Sequence, residues 1–260
     1  MNQKANKQSS GCPHAGGIVS GHEPRTEHLV IPFPPLPPYS ESVKEAIKAE
    51  AAKANDRYLR EFLEDHSFCP FARAGRLDGS SARRIIYFDD PDPEALIELM
   101  VEVAQDKKRA VTQVIFPLIQ VAPHEWREFC LALTDHGHAR LGGSKELAVA
   151  PLHPQLPYTE ESPSTLVTLF RRSPDPTIQW VRLDALAEIY KGRSGERRFV
   201  PPEEIAAYLS QPHEEKNLYD RIAETNRQMA ERLGLPKVEA MLSEYHQDAQ
   251  AAYARIIKEN

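Results

Sequence analysis

The chain has 260 residues, of which 41% are hydrophobic and 27% charged, and a formal charge of −6; this is an ordinary globular composition, long enough to bury a sizeable core. The negative balance offers no basic face and argues against a nucleic-acid binder. The cysteines Cys12, Cys69 and Cys130 are far apart and odd in number, so neither a disulfide framework nor a CxxC metal knuckle is available and a reducing compartment is expected.

The N-terminus lacks an apolar signal core, and no stretch approaches the length of a membrane span, so a cytoplasmic protein is expected. Residues 1–40 divide into a polar tail, up to Arg25, and an arm in which Pro32, Pro34, Pro35, Pro37 and Pro38 impose an extended course. Phe33, Leu36 and Tyr39 are the expected anchors of that arm on the domain surface. Cys12-Pro13-His14 is similar to Cys-Pro pairs that bind haem in regulatory segments.

A helical pattern then runs from an N-cap at Ser40 or Ser42 to Glu64, with Val43, Ile47, Tyr58 and Phe62 on its apolar stripe. It ends in His66-Ser67-Phe68-Cys69-Pro70-Phe71-Ala72-Arg73. The proline turns the chain at Cys69. A buried small hydrophobe is the first reading of that thiol, and a ligand or nucleophile would need a lowered pKa.

Residues 83–88 (RRIIYF) read as a strand. Asp92 is a natural N-cap and Pro93 the first residue of a helix carrying Leu96, Leu99, Met100 and Val103 on one face. Residues 111–121 (VTQVIFPLIQV) read as a second strand, with Pro117 marking a bulge or an edge. From Pro123, Trp126, Phe129, Cys130 and Leu133 repeat with helical spacing. His136 and His138 complement the end of that helix, and Gly142-Gly143-Ser144 is a turn rather than a phosphate loop.

Residues 147–151 are expected to form a third strand and residues 165–170 a fourth, with Asp175-Pro176 capping a helix whose Ile178, Val181, Ala185 and Ile189 share a face. The order predicts an α+β fold, a mixed β-sheet of about four strands flanked by helices. Residues 191–199 (KGRSGERRF) are a charged loop facing solvent by default, and a short helix starts at Glu203. Two long helices follow, the first with Leu218, Ile222, Thr225, Met229 and Leu233 as its seam, the second with Val238, Leu242, Tyr245, Ala249, Ala252 and Ile256 in steps of four and three. Such a C-terminal hairpin either folds back on the core or builds a homodimer. The organisation expected is a tail and arm over 1–40, a cofactor-binding core over 41–200 and a helical extension over 201–260.

The stretch richest in chemistry is residues 147–186. It holds His153-Pro154, then Arg171-Arg172-Ser173-Pro174. A neutral imidazole is a good iron ligand, and guanidiniums suit carboxylates. The plain reading is a hydrogen-bonded loop histidine and arginines paired with surface carboxylates.

Cys69-Pro70-Phe71-Ala72, His153-Pro154 and Arg172-Ser173-Pro174-Asp175-Pro176, in that order, resemble the motifs of a family of bacterial domains of unknown function, over residues 58–188. A weaker likeness is to the YqcI/YcgG-like haem-dependent N-oxygenases, in which a Cys-Phe-containing turn follows an N-terminal helix and a histidine and an Arg-x-Ser element come later. This sequence departs from that family in the longer spacing from His153 to Arg172. The likeness implies haem as cofactor, with His153 as the axial metal ligand, Arg172 with Arg171 or Arg73 near the propionates, and oxidation of a small molecule, plausibly at an amine nitrogen. Phe68, Phe71, Phe170 and Trp180 are the candidate walls, and Cys69 is the competing, thiolate ligand. Against this haem-dependent oxidoreductase stand a haem or small-ligand binding protein without turnover, a non-haem metal or hydrolytic enzyme using His153 with Glu160 and Glu161, and a protein whose motifs serve only the fold.

Overall fold

The structure is a computed structural model that describes residues 28–69, 72–90, 92–185 and 218–260. Cys12, Pro70, Phe71, the charged loop 191–199 and the helix expected from Glu203 lie outside the described residues.

Helix α1 (Glu41–Arg57) buries Val43, Ile47, Ala51 and Asn55, one residue per turn, and continues into a π-helical segment, Tyr58–Glu64, that buries Tyr58 and Phe62. Such widened turns occur often at functional sites. After a turn with Ser67 at φ 57° come α2 (Ala72–Leu77) and β1 (Ser81–Ile85). Next are α3 (Pro93–Gln105), β2 (Val111–Ile115), α4 (Pro123–Arg140) and β3 (Leu147–Leu152). A short helix α5 (Pro163–Leu166) and a 3-10 turn (Leu169–Arg171) precede β4 (Thr177–Arg182). Helices α6 (Leu218–Leu233) and α7 (Leu235–Glu259) end the chain.

The four strands form one mixed sheet of order β1-β2-β4-β3, with β1 and β2 parallel and β4 antiparallel to both β2 and β3. This is the α+β architecture expected, but two of its pieces exchange places. Residues 165–170 are not a strand. Ser162 accepts from the Thr165 N–H while the Thr165 hydroxyl accepts from the Ser162 N–H, a reciprocal cap that starts α5 with Pro163 in its first turn. Asp175-Pro176 does not cap a helix. It leads into β4, a central strand whose backbone pairs with β2 on one side and β3 on the other, and those two ladders outweigh a local cap signal. Strand β2 is also shorter than expected and ends at Ile115, with Leu118 at φ 67° in the turn that follows.

Strand alternation gives the sheet two faces. Val114, Phe116, Ile178, Trp180 and Leu147 point to α3 and α4, where they pack with Met100, Trp126, Phe129 and Leu133. The N-terminal arm closes this core. Phe33 places its ring 5.0 Å from Phe88 and 5.5 Å from Phe129, and the Leu36 N–H donates to the Phe88 carbonyl at 2.7 Å. The other face receives Ile115, Leu152 and Ala150 beneath α1, the π-helical segment and α7.

Helix α7 folds back on the chain itself. Of the two outcomes open to this hairpin, the chain takes the first: Val238, Leu242, Tyr245, Ala249 and Ala252 of the stripe are buried together with Tyr253. Arg57 ties α1 to α7 by donating to Glu244 at 2.9 Å and to Asp248.

Candidate functional site

Because β1, β2 and β3 run in one direction and β4 in the other, their carboxyl ends and the amino end of β4 meet at one edge of the sheet. His153 sits there, directly after β3, and is 4% exposed. Its Nδ1 accepts from the Gln155 N–H at 3.1 Å, and its Nε2 lies 3.1 Å from the Val121 carbonyl. A backbone N–H can only donate, so the ring proton is on Nε2 and is donated to Val121. Burial holds the imidazole pKa down to about 4, so the ring is neutral at pH 7. Both nitrogens are engaged. An iron ligand at this position would have to give up the hydrogen bond from Gln155, and what the ring does as it stands is join the loops after β2 and β3.

The arginine pair does not act as one unit. Arg172 donates through Nε to the Leu156 carbonyl at 2.8 Å, lies 3.4 Å from Glu239 of α7, and stacks over Tyr158 with its guanidinium carbon 5.1 Å from the ring centre. It clamps the β3–α5 loop to α7. The Arg171 carbonyl accepts from the His153 and Ser173 N–H groups, and its guanidinium acts electrostatically on Tyr58. Arg73 is exposed on α2. Trp180 is on the opposite face of the sheet, where its indole N–H donates to Thr134 at 2.9 Å, so it cannot share a wall with Phe68 and Phe170.

The turn leading into β4 is polar and buried. The Ser173 and Thr177 hydroxyls donate to the Asp175 carbonyl, and the Tyr253 hydroxyl donates to Asp175 Oδ2 at 2.7 Å. Asp175 Oδ1 is buried without a partner among the described residues. Burial pushes this carboxyl up to about 7, against the opposing effect of the Tyr253 hydrogen bond. His246 of α7 closes the turn through Nδ1, 2.7 Å from the Pro174 carbonyl.

Beneath α1 the sheet carries a polar row. Arg83, Gln113 and Gln179 are register partners on β1, β2 and β4 and therefore share a face. Arg83 reaches up to α1 through Nη1, donating to the Ala52 carbonyl, to Asn55 Oδ1 at 3.0 Å and to Asp56 at 2.8 Å. Gln113 Nε2 lies 3.0 Å from Gln179 Oε1. Asn55 is 2% exposed, and its Nδ2 has no partner among the described residues.

One turn further on, Tyr58 donates to the Phe170 carbonyl at 2.6 Å. Phe170 stacks on Phe68 with centroids 4.4 Å apart, and Phe68 lies 4.8 Å from Phe62. Cys69 borders this stack as a half-buried thiol. Burial drives the Tyr58 hydroxyl pKa up, the Cys69 thiol adds to that and Arg171 opposes it, which places the three groups within electrostatic range of one another. The sequence pattern by itself does not single out Asn55, Gln113 and Gln179. Two signals were present: Asn55 continues the Ile47-Ala51 stripe at the next turn, and Gln113 interrupts the apolar run of β2.

Among the described residues, no group of three histidine, cysteine or acidic side chains is placed to hold a metal ion, and no helix is long and apolar enough to cross a membrane. His153, Glu160 and Glu161 are not grouped in this way. No curated protein and no solved structure matches the chain. Residues 50–217, which hold the whole sheet, the polar row, the turn at Ser67 and the turn leading into β4, match the family designated DUF1415, and the chain belongs to this family of proteins of unknown function.

Proposed function

We propose that this protein binds a small molecule on the α1 side of its sheet, at the row Arg83, Gln113 and Gln179 beneath the junction of α1 and the π-helical segment. The observation that carries the reading is Asn55, whose oxygen is fixed by Arg83 while its buried Nδ2 has no acceptor among the described residues. A buried donor left unmade costs about 1–3 kcal/mol. A ligand acceptor at that position would remove the cost, and a single ordered water is the plain alternative. Compounds that raise the midpoint of thermal unfolding of the wild type and not of Asn55→Leu support the reading. It fails if Asn55→Leu is the more stable protein and every stabilising compound acts equally on both.

A haem-dependent oxidoreductase is the second reading, favoured by the half-buried Cys69 beside the Phe62, Phe68 and Phe170 stack. Cys69 then replaces His153 as the iron ligand, because both nitrogens of His153 are engaged with backbone. Arg73 and Arg171 would hold the propionates, and the aromatic rings would keep bulk water away. Haem bound there would supply activation of dioxygen or peroxide for oxidation of a small molecule. The test is the visible spectrum of the protein with added haem, reduced under carbon monoxide. A strongly red-shifted band lost in Cys69→Ala and kept in His153→Gln supports thiolate ligation. The absence of stoichiometric haem binding ends the reading.

A further inference from the structure

The chemistry of the polar row also fixes what kind of molecule it would take. This step rests on the site proposed above and concerns the class of its ligand. The charge of Arg83 is balanced by Asp56 at 2.8 Å, so the row is electrically neutral and a charged ligand would meet no counter-ion there. Gln113 and Gln179 join amide to amide at 3.0 Å. With that bond made from Gln113 Nε2 to Gln179 Oε1, the Gln113 oxygen and the Gln179 NH2 group of the pair are left over, one acceptor and one donor. Neither has a partner among the described residues, and Gln179 is half-buried and so within reach of solvent. Asn55 adds a second donor, from the helix above the sheet, whose direction is set by the bond from Arg83 to its oxygen.

We infer that the row recognises a small neutral molecule bearing an amide-type edge, a carbonyl next to an N–H, as in a lactam, imide or urea. The carbonyl accepts from Asn55 Nδ2 and from the free amide NH2 of the glutamine pair. The N–H donates to the free amide oxygen of that pair. A carboxylate would satisfy the donors but would face the glutamine oxygen with no hydrogen to offer. An ammonium ion would do the reverse and leave Asn55 unmade.

The test uses three probes of similar size on the full chain: glutarimide, which carries the edge, glutarate, which is an anion, and piperidine, which is a cation at neutral pH. Side-chain amide signals are followed by NMR at probe concentrations up to roughly 50 mM, since fragments of this size bind in the millimolar range. Glutarimide is expected to shift the Asn55 and Gln179 amide signals saturably, with the other probes without effect there. Gln179→Glu, close in shape and able only to accept, is expected to weaken glutarimide tenfold or more; an unchanged affinity in a variant with a wild-type unfolding curve overturns the assignment. Should that variant not fold, the wild-type titrations decide by themselves. Glutarate or piperidine acting at these amides in preference to glutarimide overturns the ligand class and leaves the site standing. If no probe shifts them, both the class and the site fall, and Asn55 holds only water.

Discussion

Replacing Asp175 with asparagine should change how stability depends on pH, and the direction follows from two buried groups at the same sheet edge. Asp175 is 2% exposed, receives one hydrogen bond from Tyr253, and has its carboxyl pushed from 3.8 to about 7. Between those values the unfolded chain has released the proton and the folded chain retains it, so stability falls as pH rises. At about 1.4 kcal/mol per pH unit, the loss is on the order of 4 kcal/mol. His153 works in the opposite sense. Its pKa is lowered from 6.5 to about 4, and between those values the unfolded chain binds a proton that the folded chain excludes. Stability therefore rises with pH across that window, by an amount on the order of 3 kcal/mol.

In the wild type the two slopes oppose each other from about pH 4 to about pH 6.5, and only the Asp175 slope continues to about pH 7. Asp175→Asn removes one of them. The asparagine keeps an acceptor for Tyr253 and, like the protonated acid, leaves one polar atom unmade, so near pH 4 the two proteins should be about equally stable. By about pH 8 the variant should be the more stable by up to about 4 kcal/mol, and on acidification it alone should show the loss due to His153. Urea unfolding at several pH values between about 5 and 8 measures the difference, from which the common carboxylates cancel. A difference that does not grow with pH, or a wild type that is the more stable at about pH 8, would refute the reasoning.

Three further substitutions test the packing that positions the site. Asp92→Ala removes the side-chain cap on the Glu94 N–H and should cost about 1 kcal/mol in urea unfolding, with no effect on ligand binding. Gly137→Ala puts a methyl group of α4 against the Met100 side chain of α3, and with Met100 fully buried a loss of about 1–3 kcal/mol is expected; an unchanged unfolding midpoint would show that α3 and α4 can separate freely. Trp180→Phe removes the bond to Thr134 and leaves a cavity, costing about 1–3 kcal/mol. Because Trp180 lies on the far face of the sheet, glutarimide binding should be unchanged, and a large loss of affinity would place the site elsewhere.

Sequence alone determined the parts of this protein that depend on local pattern. The apolar periodicity of residues 96–103 and 126–133 specifies α3 and α4, the Asp92-Pro93 pair starts α3 where expected, and the apolar run from Val111 specifies β2. The aromatic and aliphatic residues of the Pro-rich arm likewise mark its contacts with the core. The tertiary structure decided between α5 and β4. Ser162-Pro163 and Asp175-Pro176 are equivalent helix-start signals to the eye, and only the second is followed by a segment lying between two strands that each offer a full ladder. The site was decided the same way. Arg83, Gln113 and Gln179 are far apart in the chain and become a row only through strand register. His153 has an imidazole in any conformation, but whether its nitrogens have lone pairs to give depends on Val121 and Gln155, because a hydrogen bond to a side chain is set by where the backbone of another segment comes to rest.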